Sequence, residues 1–251
     1  MRTIGFIAMS AMMSQVNAEE LKADIFEGPK DVTVPYRWHE PEETAKGKLY
    51  PLVLFLHGAG ERGDDNKAQL KHGALAILRE AEKLDQPFYL IVPQCPADSF
   101  WAPFNKETQE LAQEEGLFTR LNAVWSLVGK FKKDYPIDPD RVYVTGISMG
   151  GFGTWALLGR EAKDIAAAIP ICGGGDPKTV RKFKNVPIWA FHGEADPIVN
   201  VQLTHSMVNA LEKAGGKPKS TFYPGVDHDS WTMTYDNPEV TKWLFEQKRS
   251  N

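Results

Sequence analysis

Cysteine is scarce in this chain, and the sequence lacks the motifs that several large classes of protein require. Its 251 residues contain two cysteines, Cys95 and Cys172, which are too few for the disulfide framework of a small secreted domain. Neither has the spacing of a metal ligand and no His-Glu-x-x-His sequence occurs, so we expect no metal cofactor. The two thiols could pair in an oxidising compartment, although two buried, unpaired cysteines are the favoured interpretation.

A surplus of positive charge is also missing. The chain has 29 Lys and Arg against 33 Asp and Glu, a formal net charge of −4, so the composition favours neither nucleic acid nor an anionic membrane as a partner. No apolar run is long enough to span a bilayer, and no internal repeat or heptad pattern occurs. With 42% hydrophobic and 25% charged residues, the composition is typical of one globular domain with a large core.

The first 18 residues differ from the rest. Arg2 precedes a largely apolar stretch over residues 4–13, and Val16 and Ala18 then supply the small side chains of a cleavage site. We therefore predict a signal peptide over residues 1–18, a single mature domain over residues 19–251, and a secreted or periplasmic location. An ordinary first strand or helix of a cytosolic protein is the alternative.

One short segment carries the clearest chemical signal. Residues 141–145 are typical of a buried strand, and they lead into Gly146-Ile147-Ser148-Met149-Gly150 and then into a helix-like pattern. A sharp strand-to-helix turn needs small residues two before and two after its serine, because a Cβ there would collide with neighbouring backbone. Such a turn holds the serine hydroxyl at the carboxyl end of the strand. We therefore predict that Ser148 is a nucleophile, the alternative being a serine in an ordinary glycine-rich turn.

A serine nucleophile needs a base and an acid that orients the base, and candidates for both follow in the expected chain order. Asp196 lies in a loop after a strand-like segment, and His228 lies in a turn after another. The His228 imidazole would accept the Ser148 proton and later return it to the leaving group, while the Asp196 carboxylate fixes the ring tautomer. Asp196 could instead cap a helix that begins near Pro197. Rival candidates are Asp176 and Asp227 for the acid, and His192 and His205 for the base.

Backbone N–H groups are the expected donors to an oxyanion in such a site. One candidate is the N–H of Met149, directly after the nucleophile. The glycine-rich segment 57–63 follows an apolar strand and offers the other donor, for which we favour Ala59 over Gly60. His57, in the same segment, is expected to shape this loop rather than to transfer protons.

Aromatic residues near these loops are candidates for contact with the substrate. Trp101 and Trp231 are predicted to line a substrate cleft, although an aromatic side chain belongs to the core at least as often. A second glycine pattern, formed by Gly151, Gly153 and Ala156, could be mistaken for a dinucleotide fingerprint. In such a site the first glycine directly follows a strand, whereas Gly151 lies beyond the turn. We therefore expect no organic cofactor.

Strand-like and helix-like segments alternate after residue 50. Strands are predicted at residues 52–56, 89–92, 142–145, 166–171, 188–191 and 221–223, and helices at 111–133, 149–160, 201–214 and 238–248. This alternation predicts an α/β fold, with a mostly parallel, twisted sheet, helices on both faces and functional loops at the carboxyl ends of the strands. Before it, residues 31–36 are predicted to form an antiparallel edge strand, and residues 40–48 an exposed hairpin loop.

These motifs resemble those of the α/β-hydrolase superfamily. The nearest groups are secreted serine esterases related to the phospholipase/carboxylesterase and dienelactone-hydrolase-like proteins, including predicted peptidases of the prolyl-oligopeptidase clan. The resemblance runs from about residue 50 to residue 243 and depends on segments 57–63, 93–96, 146–153, 171–176, 192–199 and 228–231. It implies that Ser148, Asp196 and His228 form the family's catalytic triad.

The residues and the resemblance together predict a secreted serine hydrolase that cleaves carboxylic esters through an acyl-enzyme intermediate. The expected substrate is a small-molecule ester or one linked to a polysaccharide, such as an acylated plant polysaccharide or a phenolic ester. Two alternatives stay open, a serine peptidase of the prolyl-oligopeptidase clan and a non-catalytic carbohydrate-binding protein on a hydrolase scaffold. The intact triad residues argue against the second of these.

Overall fold

The computed structural model describes residues 18, 21–103, 111 and 118–249. The predicted signal peptide lies outside these residues apart from Ala18. Residues 112–117 of the predicted helix 111–133 also lie outside them.

Strands and helices alternate along the described part of the chain, as the hydrophobic pattern predicts. The strands are β1 (Lys22–Glu27), β2 (Thr33–His39), β3 (Tyr50–Leu56), β4 (Tyr89–Pro93), β5 (Ile137–Ile147), β6 (Ala167–Ile171), β7 (Trp189–Gly193) and β8 (Lys219–Tyr223). The α-helices are α1 (Ala74–Lys83), α2 (Thr119–Asp134), α3 (Met149–Glu161), α4 (Gln202–Lys213), α5 (Trp231–Tyr235) and α6 (Pro238–Glu246). None of the helices in these ranges combines the length and the apolar character that crossing a bilayer requires.

All eight strands belong to one sheet, in the order β1-β2-β4-β3-β5-β6-β7-β8. The six strands from β3 to β8 run parallel to one another, and β2 runs antiparallel to both β1 and β4. The fold is therefore the predicted α/β-hydrolase fold. Because β3 to β8 are parallel, their carboxyl ends share one edge of the sheet, where the loops that follow them can meet.

Strand β3 shows why helices cover both faces of the sheet. Leu52, Leu54 and Leu56 belong to one hydrophobic cluster together with side chains of α2, α3 and α4. Val53 and Phe55, which alternate with them, belong to a second cluster with side chains of α1 and α6. Successive strand residues point to opposite faces, so a strand that is apolar throughout is buried on both sides.

Two local predictions are wrong, and α1 forms where the sequence analysis predicts no helix. Strand β2 is antiparallel, as expected, but β1 pairs with it and occupies the sheet edge instead. Residues 40–48 do not form a hairpin loop, because β4 lies between the two strands that they connect. Helix α1 was not predicted at all. It begins after Gly73, which has a φ of +77°. Glycine has no side chain that could cap the helix, so the sequence at this point carries no helix-start signal.

Two glycines provide a test of these local conformations. Gly129 is exposed within α2, and a Cβ added there would meet no atom within 4 Å. We expect Gly129→Ala to raise the free energy of unfolding by about 0.5–1 kcal/mol, because glycine loses more backbone entropy than alanine in a helix interior. Urea unfolding followed by circular dichroism measures this change.

Gly73→Ala is the matched control for that substitution. Its Cβ would lie 2.6 Å from a ring carbon of Phe55 and 2.7 Å from one of Tyr235, at a positive φ. This variant should lose stability. Equal shifts in the two urea midpoints would contradict the assigned backbone conformations.

Candidate active site

Ser148 occupies a strained turn between β5 and α3. Its φ is 51° and its ψ is −117°, a region that residues with a Cβ rarely adopt. The backbone around it fixes this conformation, since the Ser148 N–H donates to the Ile171 carbonyl at 3.0 Å and its own carbonyl accepts from the Phe152 N–H at 3.0 Å. The side chain is partly exposed at the carboxyl edge of the sheet.

The glycines on either side of Ser148 are required by close backbone contacts. A Cβ at Gly146 would lie 2.4 Å from the Gly150 carbonyl oxygen, and a Cβ at Gly150 would lie 1.9 Å from the Leu56 carbonyl oxygen. Both distances are far below the 3.0 Å that real Cβ atoms respect. The spacing that the sequence shows is therefore a steric requirement of this turn.

The structure brings Ser148, His228 and Asp196 together from three separate loops. The Nε2 atom of His228 lies 2.9 Å from the Ser148 Oγ, and its Nδ1 atom lies 2.7 Å from the Asp196 Oδ2. The Asp196 side chain is fully buried, whereas that of His228 is 20% exposed. This arrangement allows a proton to move from the serine to an imidazole whose other nitrogen faces a carboxylate.

Three of the four rival candidates make other contacts. Asp176 caps a short 3-10 turn by accepting from the Lys178 N–H, and the Asp227 carboxylate accepts from the Asp229 N–H. His205 lies on α4, where its ring stacks on Phe222 with a centroid distance of 3.9 Å. None of these contacts leads to Ser148.

Asp196 serves as a cap and as the partner of His228, through different oxygen atoms. Its Oδ1 accepts from the backbone N–H groups of Ile198 and Val199 at 2.8 and 2.9 Å, while Oδ2 faces His228. Burial by itself would raise the pKa of Asp196, but the hydrogen bonds from His228 and from these two N–H groups outweigh it and hold the pKa below its ordinary value. The carboxyl group is therefore ionised at neutral pH.

The expected oxyanion donors lie beside Ser148 and after β3. The Met149 N–H is at the first position of α3, where a helix offers no internal acceptor and its dipole favours negative charge. Ala59 opens a 3-10 turn after Gly58 and is exposed, as is Gly60. Among the described residues, none of these three N–H groups has a hydrogen-bond acceptor, so all stay available to a substrate oxygen.

His57 is a buried structural group, as its position after β3 suggested. Its Nε2 accepts from the Cys95 N–H at 2.9 Å, and its Nδ1 lies 2.6 Å from the Gly58 carbonyl. These contacts define a neutral ring with the proton on Nδ1. Burial lowers the pKa of His57 to about 4, which the Gly58 contact offsets only in part.

The two tryptophans differ from each other. Trp101 is fully buried, and its indole N–H donates to the His57 carbonyl at 2.9 Å. It offers no surface to a substrate in this structure, so the prediction that it lines the cleft is wrong; its ring packs inside the core beside the site. Trp231 is partly exposed and its ring meets that of His228 edge-on, with a centroid distance of 5.3 Å. Its contact with substrate stays a prediction.

Both cysteines are buried free thiols and do not form a disulfide. The Cys172 sulfur lies close enough to Asp196 and His228 for their potential ligand atoms to fall within 4.8 Å of one another. Asp196 and His228 are already bound to each other through the 2.7 Å contact between Oδ2 and Nδ1. Burial raises the pKa of the Cys172 thiol far above its ordinary value, which keeps that thiol protonated.

The sequence around His192 favours a packed or hydrogen-bonded histidine at a strand end over a rival base, but it does not indicate that Asp196 is the partner. His192 is fully buried at the end of β7, and its Nε2 lies 3.1 Å from the Asp196 Oδ2. The available signal is its position, four residues before Asp196 and at the end of a buried strand. No periodicity indicates a contact of this kind.

The lowered pKa of the buried His57 ring predicts that the stability of the folded chain depends on pH. Because the pKa of His57 is about 4 in the folded chain against 6.5 ordinarily, the unfolded chain binds more protons between these values. We expect the free energy of unfolding to fall by up to about 3 kcal/mol as the pH decreases from about 6.5 to about 4. Urea unfolding at a series of pH values measures the slope.

His57→Gln is the control for this pH dependence, since its amide oxygen can still accept from Cys95 but does not titrate. This variant should lose the part of the slope that His57 contributes, while buried His192, whose pKa is also lowered by burial, retains its own part. Identical slopes in the two proteins would show that His57 does not titrate as its contacts indicate.

Comparison with known proteins identifies the family of the chain. The sequence profile of the phospholipase/carboxylesterase family matches residues 43–237. A bifunctional acetylxylan esterase/xylanase from Neocallimastix patriciarum is 30% identical over 189 residues, which is 73% of this chain and 25% of that protein. Acyl-protein thioesterase 1 from Neurospora crassa is 26% identical over 205 residues, which is 71% of this chain and 80% of that protein.

A solved structure is more similar over a longer stretch. The crystal structure of a thermostable esterase has a TM-score of 0.84 and 40% sequence identity, over 92% of this chain and 64% of that one. The chain thus spans about a quarter of the length of the xylanase relative and just under two thirds of this esterase.

The family profile covers most of the chain and includes the segments that supply Ser148, Asp196 and His228. The fold and the esterase structure lead to the same assignment. The chain therefore belongs to the phospholipase/carboxylesterase family.

Proposed function

We propose that this chain is a secreted serine esterase in which Ser148, His228 and Asp196 act as a catalytic triad. The observation that carries the proposal is the continuous hydrogen-bonded path from the Ser148 Oγ through both nitrogens of His228 to Asp196. It begins at a serine held in a strained turn, as a nucleophile of this fold requires.

The first half of the reaction forms an acyl-enzyme. The Ser148 Oγ bonds to the ester carbonyl carbon while its proton passes to the His228 Nε2. The carbonyl oxygen becomes an oxyanion that accepts hydrogen bonds from the Met149 N–H and, from the loop after β3, the Ala59 N–H. The bond to the alkoxide then breaks, and His228 returns the proton to that leaving group.

The second half releases the acid. A water molecule gives a proton to His228 and its oxygen attacks the acyl carbon, after which Ser148 leaves and recovers the proton. The imidazolium that forms in both halves has the ionised Asp196 carboxylate as its counter-ion, 2.7 Å away. No cofactor enters these steps.

The substrate that we propose is an acetyl or other short acyl ester on a polysaccharide. A bifunctional acetylxylan esterase/xylanase is among the relatives, and the match covers 25% of that protein. Apolar side chains near the triad residues could contact the acyl group or a sugar face. These are Trp231, against His228, and the exposed Ile198 and Met233.

An acyl thioester is the second candidate substrate. The acyl-protein thioesterase relative is matched over 80% of its length, and the same triad can expel a thiolate in place of an alkoxide. The predicted signal peptide over residues 1–18 implies secretion. A secreted enzyme would meet extracellular polymers, so secretion favours the polysaccharide ester as the substrate.

Ser148→Ala tests the nucleophile. We expect kcat/KM for p-nitrophenyl acetate to fall at least about a thousandfold, because the acyl-enzyme can no longer form, and labelling by a fluorophosphonate probe to disappear. Ser206→Ala, at an exposed position on α4, is the matched control and should keep both. Unchanged turnover and labelling in Ser148→Ala would eliminate the proposed nucleophile.

A substrate panel tests the proposed specificity. With the wild-type protein, acetate release from acetylated xylan should exceed hydrolysis of peptide amides, because an alkoxide leaves more easily than an amide nitrogen. It should also exceed hydrolysis of acyl thioesters, since a bifunctional acetylxylan esterase/xylanase is among the relatives. Each rate is compared with that of Ser148→Ala. Peptide hydrolysis at comparable efficiency would favour the peptidase alternative, and xylan binding without turnover of any ester would favour the binding alternative.

A further inference from the structure

His192 faces the same carboxylate oxygen as the proposed catalytic base. Its Nε2 lies 3.1 Å from the Asp196 Oδ2, the atom that the His228 Nδ1 approaches at 2.7 Å. The ring is fully buried at the end of β7. Asp196 is therefore bound by two backbone N–H groups on Oδ1 and flanked by two imidazoles on Oδ2.

The surroundings of His192 determine where its proton lies. The Nε2 atom faces two acceptors, the Asp196 carboxylate and the Val199 carbonyl at 3.0 Å, so this nitrogen must carry a proton. The Nδ1 atom lies 2.7 Å from the Thr204 Oγ1, which also lies 2.7 Å from the Gly173 carbonyl. In a neutral ring Nδ1 accepts from Thr204, whereas in a charged ring it donates. The Nε2 proton points to Asp196 in either case.

We propose that His192 is a positioning residue, whose Nε2–H holds Asp196 in place and shares its Oδ2 with His228. This role deepens the proposed triad and rests on it. One oxygen then accepts hydrogen bonds from two imidazoles. Its negative charge therefore stabilises His228 less than it would if His228 were the only imidazole beside it. His192 thereby fixes the acid and limits the basicity of the base.

A shift in the pKa of His228 follows from this sharing. Without the His192 donor, the Oδ2 charge would stabilise only the His228 imidazolium, so the pKa of His228 should rise. A charged His192 would repel that imidazolium, so its removal would act in the same direction. The sign of the shift is therefore independent of the protonation state of His192.

Replacing His192 leaves the other titratable groups around Asp196 and His228 unchanged. Cys172 lies beside Asp196 and stays a neutral thiol. The exposed carboxylates of Asp227 and Asp229 accept from backbone N–H groups of their own turn, and His205 of α4 stacks on Phe222. These groups remain as they are when His192 alone is replaced.

His192→Leu and His192→Gln separate positioning from simple core filling. Leucine fills much of the space but has no donor, so we expect kcat for p-nitrophenyl acetate to fall about 10- to 100-fold with little change in KM, as when a hydrogen bond to a charged group is lost. The acidic limb of kcat/KM against pH should move up by about half a unit or more. Glutamine keeps an N–H donor and should recover most of kcat and return the limb towards its wild-type position.

His205→Leu, at a partly exposed position on α4 where the ring stacks on Phe222, is the matched control and should keep the wild-type kcat and pH profile. Circular dichroism and thermal unfolding establish that each variant is folded. A folded His192→Leu protein with wild-type kcat and acidic limb would overturn the proposal. So would a His192→Gln protein as slow as His192→Leu, because the donor would then make no difference.

A measurement that needs no turnover keeps this test distinct from that of the proposed function. The pKa of His228 can be followed by NMR of its ring protons in the Ser148→Ala background, with and without His192→Leu. A higher pKa in the double variant supports the positioning role even if the protein hydrolyses no tested ester. An unchanged or lower pKa refutes it even if Ser148 proves to be the nucleophile.

Discussion

The close approach of the α3 backbone to the end of β3 is the contact on which the site depends. It places Gly150 against the Leu56 carbonyl, with no room for a Cβ between them. The Ser148 N–H is fixed on β6 through the Ile171 carbonyl. Ser148, the proposed nucleophile, is thus positioned by backbone contacts with two neighbouring strands, and its strained φ is maintained by the sheet itself.

Asp196 links the stability of a loop to the chemistry of the site. One oxygen caps the turn after β7 by accepting hydrogen bonds from two backbone N–H groups, and the other oxygen faces His228. The capping and catalytic interpretations of this residue, which appear as alternatives in the sequence, are compatible because a carboxylate has two oxygens. Removing the side chain would therefore affect both functions, so a loss of activity alone could not separate them.

The sequence predicts much of this arrangement, because its strongest signals are local. Glycines at fixed distances from Ser148 report a steric requirement of one turn, and the apolar strands report burial on both faces. The errors occur where the deciding contact is distant or the local signal is absent. β1 is exposed along most of its length and shows no burial pattern, and nothing near Trp101 in the chain indicates that the His57 carbonyl would accept its N–H. The contact of His192 with Asp196 likewise depends on how a loop folds back on its strand.

The order of the strands has a consequence for the synthesis of the protein. His228 follows β8, which lies at the outer edge of the sheet and comes last along the chain among the eight described strands. Ser148 enters its turn eighty residues earlier in the sequence, on strands that can pair before β8 exists. Under the proposed mechanism, a nascent chain would therefore hold a shaped but unactivated serine. Only when β8 joins the sheet would His228 come within hydrogen-bonding distance of Ser148. The capacity to hydrolyse a substrate would therefore arise only after β8 has paired with β7.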